Sequence, residues 1–239
     1  MSSVDTNEAV WKDEANIKRW AAEAAGREAK RAEPMRIMAA LLPFEDDEEF
    51  TVVDLAAGTG MAARAIMDRY PKAHAVLADY SPAMMGEGEK MLAPYGGRCR
   101  YVEFDLRQSS WPDGIPMPMD SVVTSQALHH LPDERKESLF REVFERLKPG
   151  GWCVNYEPVK APTLPVEYTW QRLNDRFDDG LAYKRTHRSP QEEAQHENHV
   201  RHMIDLDLQM SFFRAAGYEA VDVYWKHLDY VVYGGRKPK

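Results

Sequence analysis

The segment Asp54-Leu55-Ala56-Ala57-Gly58-Thr59-Gly60 constrains the fold of this chain more than any other. It follows a β-branched run, Thr51 to Leu55, and precedes a helical stretch from Met61 to Tyr70 that Pro71 closes. A strand that turns on two glycines into a helix reads as the opening of a βαβ unit, since glycine lets the backbone turn tightly and approach a ligand closely. Asp79 ends the next strand, at about the ~20-residue offset where a carboxylate can accept hydrogen bonds from both hydroxyls of a ribose.

The alternation continues beyond that unit. Ala75 to Asp79, Cys99 to Phe104, Ser121 to Thr124 and Trp152 to Tyr156 read as strands two to five. Between them, Ser81-Pro82 supplies a cap and a first-turn proline for a helix over Met84 to Leu92. Leu139, Phe140, Val143, Phe144 and Leu147 recur at helical spacing after Pro132, and Pro149-Gly150-Gly151 is expected to stop that helix. The rhythm breaks after Glu157, where residues 158 to 208 are polar and helical in tendency, and then resumes. Leu208 to Ala216 reads as a helix, followed by strands over Ala220 to Trp225 and Tyr230 to Tyr233. The expected fold is α/β: a Rossmann-like, seven-stranded, mostly parallel sheet with helices on both faces and a helical lid. Residues 1–48 are assigned to an N-terminal helical cap segment and 49–239 to the main domain, with a helical insertion at about 158–208.

Composition narrows the partners. The formal net charge of −8 disfavours direct binding of nucleic acid, which rewards neutralised phosphates. The basic tail Arg236, Lys237 and Lys239 reads as solvated. No run of ~18 apolar residues could span a membrane. The polar, acidic start from Met1 to Glu14 lacks the apolar core of a secretory signal. Cys99 and Cys153 lie far apart and form no CxxC, as expected of free thiols in a reducing cytoplasm. No membrane partner is expected, and the sequence leaves a homodimer open.

Two cofactors compete for the glycine loop. Gly58-x-Gly60-x-x-Ala63 formally satisfies the dinucleotide fingerprint of NAD enzymes. Asp54 argues the other way, because a carboxylate beside the loop would repel a pyrophosphate. It could attract the α-ammonium group of S-adenosylmethionine, directly or through water.

Five segments in order resemble the class I S-adenosylmethionine-dependent methyltransferases. Val53 to Gly60 looks like the first motif of that family, with Ala56-Ala57 where Gly-Cys is commoner. Asp79-Tyr80-Ser81-Pro82-Ala83-Met84 looks like the second, which implies Asp79 on the ribose and Tyr80 beside the adenine. Phe104-Asp105-Leu106 looks like the third, with the Asp105 side chain at the adenine amino group. Ser125-Gln126-Ala127-Leu128-His129-His130-Leu131 is similar to the segment after strand four of small-molecule members, and Leu147 to Gly151 to the helix-to-strand turn. The resemblance implies methyl transfer to a small molecule, with S-adenosylhomocysteine as product. The implied cofactor contacts are Asp54, Ala56, Ala57, Gly58, Gly60, Asp79, Tyr80, Met84, Asp105, Leu106, Ser125 and Gln126. The C-terminal half also bears a faint likeness to carboxy-S-adenosylmethionine synthase. The arginine that enzyme uses for its extra carboxylate falls near Phe212 here, so that activity is not carried over. Other sulfonium chemistry, and a non-catalytic S-adenosylmethionine binder, stay open as alternatives.

Methyl transfer from a sulfonium needs a general base only where the acceptor loses a proton. His129 and His130, just past strand four, and Glu157, ending strand five, are the catalytic candidates. Glu157 could hold an acceptor amine or orient a histidine. Trp11, Trp20, Tyr168, Trp170, Tyr183, His202 and Met203 are candidates for an apolar acceptor pocket under the lid. Arg19, Arg27 and Arg31 could meet a carboxylate. His187, His196, His199 and His202 in the insertion match no HExxH motif, so they read as a solvated helical face and no metal site is expected.

Overall fold

The computed structural model describes residues 17–18, 24–177 and 186–239. In chain order the elements are α1 (Ala24–Ala40), β1 (Thr51–Leu55), α2 (Met61–Arg69), β2 (His74–Asp79), α3 (Pro82–Leu92), β3 (Cys99–Glu103) and β4 (Met119–Ser125). They continue with α4 (Asp133–Arg146), β5 (Leu147–Pro158), α5 (Leu164–Phe177), α6 (Pro190–Val200), α7 (Leu206–Ala216), β6 (Glu219–His227) and β7 (Tyr230–Arg236). The seven strands form one sheet in the order β3-β2-β1-β4-β5-β7-β6. All pairings are parallel except those of β7, which runs antiparallel to both β5 and β6.

The direction of strand order reverses between β1 and β4, and such a switch point opens a crevice at the carboxyl ends of the strands. Two apolar layers close the two faces of the sheet. On one side Leu139, Phe140 and Val143 of α4 join Met210 and Phe213 of α7 against Val53, Val122 and Val231. On the other, Met35, Met38 and Ala39 of α1 pack with Ala62, Ala63 and Ile66 of α2 against Val52, Leu77 and Val154. Helices on both faces account for the near-continuous burial along β1, β2 and β4, where alternation would have marked a one-sided sheet.

Local sequence explains most boundaries. The Ser81 hydroxyl accepts the Met84 N–H at 3.2 Å and Pro82 occupies the first turn of α3, as the sequence predicts. Helix α7 starts two residues before the expected Leu208, because Asp205 caps it by accepting the Leu208 N–H at 2.9 Å. Helix α4 ends at Arg146, three residues short of the expected proline stop. Leu147 is already extended and opens β5, so Gly150, with φ 84°, makes a left-handed bend inside the strand and not a helix cap. Cys153 is a buried free thiol and Cys99 a half-buried one.

The segment between β5 and α7 leaves the sheet and returns to it at one point. Lys160 bridges to Asp205 in parallel fashion, and the Lys160 N–H donates to the Ile204 carbonyl at 3.0 Å. What lies between therefore projects as a closed excursion from the cavity end of β5, which carries α5 and α6. Among the described residues no helix is long and apolar enough to cross a membrane.

Candidate active site

A cavity of about 310 Å³ lies at the switch point, near the lower end of ligand-pocket volumes. Its floor is the loop after β1. Ala56 (φ 52°), Gly58 (φ 55°) and Gly60 (φ 81°) all take left-handed backbone there. Gly60 is obligatory on a second count, since a Cβ would stand 2.7 Å from both Leu77 and Leu92 side chains. The loop is pinned from two sides. The Asp79 carboxyl accepts the Gly58 N–H at 2.8 Å and the Ser81 N–H at 2.9 Å, joining the ends of β1 and β2. From β3, the Tyr101 hydroxyl donates to the Gly58 carbonyl at 2.8 Å. That reach depends on Gly88 of α3, whose Cβ would collide with the Tyr101 oxygen at 1.8 Å.

Of the residues expected to meet a cofactor, Ala56, Ala57, Gly58, Asp79, Tyr80, Met84, Asp105, Leu106, Ser125 and Gln126 line this cavity. Asp54 and Gly60 do not; they shape it from behind. Asp54 is fully buried, and its Oδ2 accepts the Ala63 N–H of α2 at 3.1 Å. Its Oδ1 has no partner among the described residues. Burial raises the Asp54 pKa from 3.8 to about 7, with the nearby Asp79 adding to the rise. The expected carboxylate facing the loop is thus a carboxyl group behind it, holding its proton up to neutrality. Asp79 is likewise pushed upward by burial, opposed by the N–H groups of Ser81 and Gly58.

At one end of the cavity Asp105 accepts from the Arg107 guanidinium, Nε to both carboxylate oxygens at 3.0 Å and Nη2 to Oδ2 at 2.7 Å. The Arg107 guanidinium lies 5.6 Å from the Tyr80 ring centroid, so a planar cation and an aromatic ring frame this end. At another wall, Arg31 of α1 donates to the Gln126 Oε1 at 3.3 Å. The Gln126 Nε2 is buried without a partner among the described residues, and Gln126 itself is held at φ 57°. A guanidinium beside an orphaned amide donor, both on the cavity wall, is an environment made for a carboxylate.

The catalytic candidates separate into different roles. Glu157 is completely buried and does not line the cavity, so the structure removes it from contact with an acceptor amine. Its Oε2 accepts the N–H groups of Ala127 (3.2 Å) and Leu128 (3.3 Å), and its Oε1 accepts that of His129 (3.0 Å). The His129 Nδ1 also pairs with Oε1. With both oxygens already accepting amide protons, Nδ1 is the donor of that pair, which leaves Nε2 as the ring's basic nitrogen. His130 lines the cavity too, and its Nδ1 is buried without a partner among the described residues. Burial pushes the His130 pKa down to about 2, with the neighbouring His129 acting in the same direction.

The structure corrects the reading of the insertion's histidines as a solvated face at His199, while His187 is exposed as expected. His199 of α6 reaches the cavity wall, its ring centroid 4.4 Å from that of His129 and 6.0 Å from that of His130. Burial lowers its pKa to about 4. His202 serves through its backbone: its carbonyl accepts the Nζ of Lys136, a buried lysine that also reaches Asp133 at 2.9 Å and so ties the insertion to α4.

The expected acceptor pocket is not where the sequence suggested. Tyr168 is exposed on α5, and Trp170 packs against the sheet-side core beneath the Lys226 ammonium, 4.5 Å from its ring. Neither these two, on α5, nor His202 and Met203, just past α6, line the cavity. Trp11, Trp20, Arg19 and Tyr183 lie outside the described residues, as does the side chain of Arg27. Two contributors escaped the sequence reading, and a third, His199, was assigned by it to solvent. Arg107 and the Gly88–Tyr101 pair carried a signal, in an arginine two positions after Asp105 and a glycine inside a helix. His199 carried none, since only tertiary packing brings it to His129.

Residues 52–151 match the model of a family described as a methyltransferase domain. The trans-aconitate 2-methyltransferase of Shigella dysenteriae serotype 1 is 31% identical over 159 residues, covering 64% of this chain and 58% of that protein. The demethylmenaquinone methyltransferase of Thermus thermophilus is 31% identical over 111 residues, 46% of this chain and 48% of the relative. The chain therefore spans 58% or less of the length of these relatives. Among solved structures, an O-methyltransferase family protein from Burkholderia thailandensis superposes with a TM-score of 0.68 at 15% identity, over 94% of this chain and 60% of that one. Human N-acetylserotonin methyltransferase in complex with SAM superposes with a TM-score of 0.65 at 15% identity, over 100% and 61% respectively.

Proposed function

We propose that this chain, whose central part is a methyltransferase domain of the class I S-adenosylmethionine-dependent type, transfers a methyl group from that cofactor to a small-molecule acceptor. The observation that carries the reading is the pair of walls that meet at the β1/β4 switch point. One presents the Asp79 carboxyl above a glycine loop, and the other presents His129 held by Glu157. The residues fit the cofactor. Asp79 would accept from the ribose hydroxyls, and Tyr80 with Arg107 would frame the adenine. Arg31 and the orphaned Gln126 amide would take the carboxylate of the amino-acid part.

When bound, S-adenosylmethionine supplies a methyl group on a sulfonium: an acceptor lone pair forms the new bond to carbon as the carbon–sulfur bond breaks, and that electron pair returns to sulfur. The chain's task is then positioning and exclusion of water. The backbone of 56–60 and the Met84 side chain set the floor, since a Cβ at Gly58 would press on the Met84 Cε at 3.0 Å. His129 offers Nε2 to an acceptor that must lose a proton, and Glu157 fixes the tautomer that makes this nitrogen basic. Helix α6, which brings His199 to the cavity wall, belongs to this proposal as part of a lid. A cytoplasmic location belongs to it as well, supported by the two free thiols.

The test is calorimetric titration with S-adenosylmethionine, S-adenosylhomocysteine and NAD, followed by an acceptor panel read by mass. Micromolar binding of the first two, no binding of NAD and a product heavier by one methylene are expected. A His129→Asn variant should then keep the affinity for S-adenosylhomocysteine while turnover falls by roughly 100-fold or more. Binding of NAD alone would overturn the proposal.

A further inference from the structure

The three cavity histidines meet on one side of the site and come from two distant parts of the chain. His129 and His130 belong to the short turn after β4, and His199 to the lid helix α6. One ring nitrogen from each lies within 4.8 Å of the others. The His129 and His130 ring centroids are 3.9 Å apart.

We infer that His129, His130 and His199 form a binding site for a divalent transition-metal ion, open toward the acceptor half of the cavity. Three observations converge on it. The first is the ligand set itself, three imidazoles converging on one point, which suits zinc, iron, copper or nickel and leaves further coordination positions free. The second is the His130 Nδ1, a buried ring nitrogen with no partner among the described residues. The third is Glu157, which holds His129 through Nδ1 and so presents Nε2, the carboxylate–histidine arrangement that orients metal-binding imidazoles. Nitrogens about 2.1 Å from a tetrahedral ion lie roughly 3.4 Å apart, so the cluster needs to tighten by at most about 1.4 Å. All three residues line the cavity, which directs the open positions at a bound acceptor.

The inference deepens the methyl-transfer reading and rests on it for the identity of the neighbouring ligand. With an ion in place, the His129 Nε2 is a ligand and no longer a proton acceptor. The ion itself then lowers the pKa of an acceptor hydroxyl bound to it. The acceptor class this selects carries an oxygen able to coordinate.

The experiment is titration of the purified, chelator-treated full chain with Co²⁺, read by visible absorption and calorimetry, and by displacement with Zn²⁺. One equivalent with the intense bands of a low-coordinate cobalt site is expected. Affinity should fall at least about 10-fold in His199→Ala and in His130→Ala, and about 10- to 100-fold in Glu157→Gln. His196→Ala, on the same helix, should leave it unchanged. Parallel titration with S-adenosylhomocysteine reports that each variant is folded and tests the cofactor reading separately. Absence of a saturable equivalent in the wild type, or equal losses in His196→Ala and His199→Ala, would overturn the metal site whatever the cofactor result.

Discussion

The two walls of the cavity are assembled by different means. The wall at the glycine loop is built mostly from contacts within the first βαβ unit: Asp79 to Ser81 spans two residues and Asp79 to Gly58 spans 21, with Tyr101 to Gly58, across 43, as the exception. The opposite wall is built from long ones. Arg31 meets Gln126 across 95 residues, and His199 of α6 packs on His129 with ring centroids 4.4 Å apart. The first wall is thus dictated by backbone conformation and local hydrogen bonds. The second exists only once helices from remote parts of the chain have docked. Four experiments sharpen or break this division.

The largest effect is expected at Asp54, the carboxyl buried behind the loop. Its pKa rises from 3.8 to about 7 on folding. Below pH ~4 both states hold the proton; as pH rises through about 7 the folded state loses the stability that the proton provides. Relative to Asp54→Asn, the free wild-type protein should therefore lose on the order of 4 kcal/mol between pH 4 and pH 8, followed by denaturant unfolding at several pH values. A pH-independent gap between the two proteins would show that burial of this group does not govern the first wall.

Gly60 comes next. Alanine there must take a left-handed conformation and push its Cβ against Leu77 and Leu92, which together should destabilise the fold by about 3 kcal/mol. A melt of Gly60→Ala as cooperative and as high as the wild type's would contradict the local account.

Asp79→Ala removes the carboxyl that joins β1 to β2 and that the proposed function assigns to the ribose. Affinity for S-adenosylhomocysteine should fall by about 100-fold in calorimetry, with hydrogen exchange of α6 unaltered. Loosening of α6 in the same variant would mean that the two walls are one cooperative unit.

The smallest effect belongs to the lid. Ser189 and Glu192 form a reciprocal capping box at the start of α6, with the Ser189 N–H donating to Glu192 at 2.7 Å. Ser189→Ala should weaken that helix by about 1 kcal/mol, seen as faster amide exchange over 190–200 without a change in cofactor-product affinity.

The same division explains what could be read from the sequence. Gly58, Gly60 and Asp79 announce themselves because each satisfies a requirement set within one βαβ unit, and the Ser81-Pro82 start of α3 is equally local. Asp54 was legible as a functional position but not as a buried one, since strand register alone does not say which end of a carboxylate meets solvent. The lid was legible as an interruption in the strand rhythm, yet its inner face was not. Tyr168 and Trp170 looked like pocket residues by type and point elsewhere, while His199 looked solvated and is drawn in by packing against the turn at Leu128–His130. Side-chain type is a weak guide wherever the partner lies seventy residues away.

The turn from Ala127 to His129 keeps its shape through three amide protons given to one buried carboxyl, and the imidazole is only the fourth guest of that group. The scaffold of the turn is therefore separable from the ring it displays. A substitution at position 129 that leaves Glu157 in place is therefore expected to keep the backbone path of 127–129, held by the three amide protons.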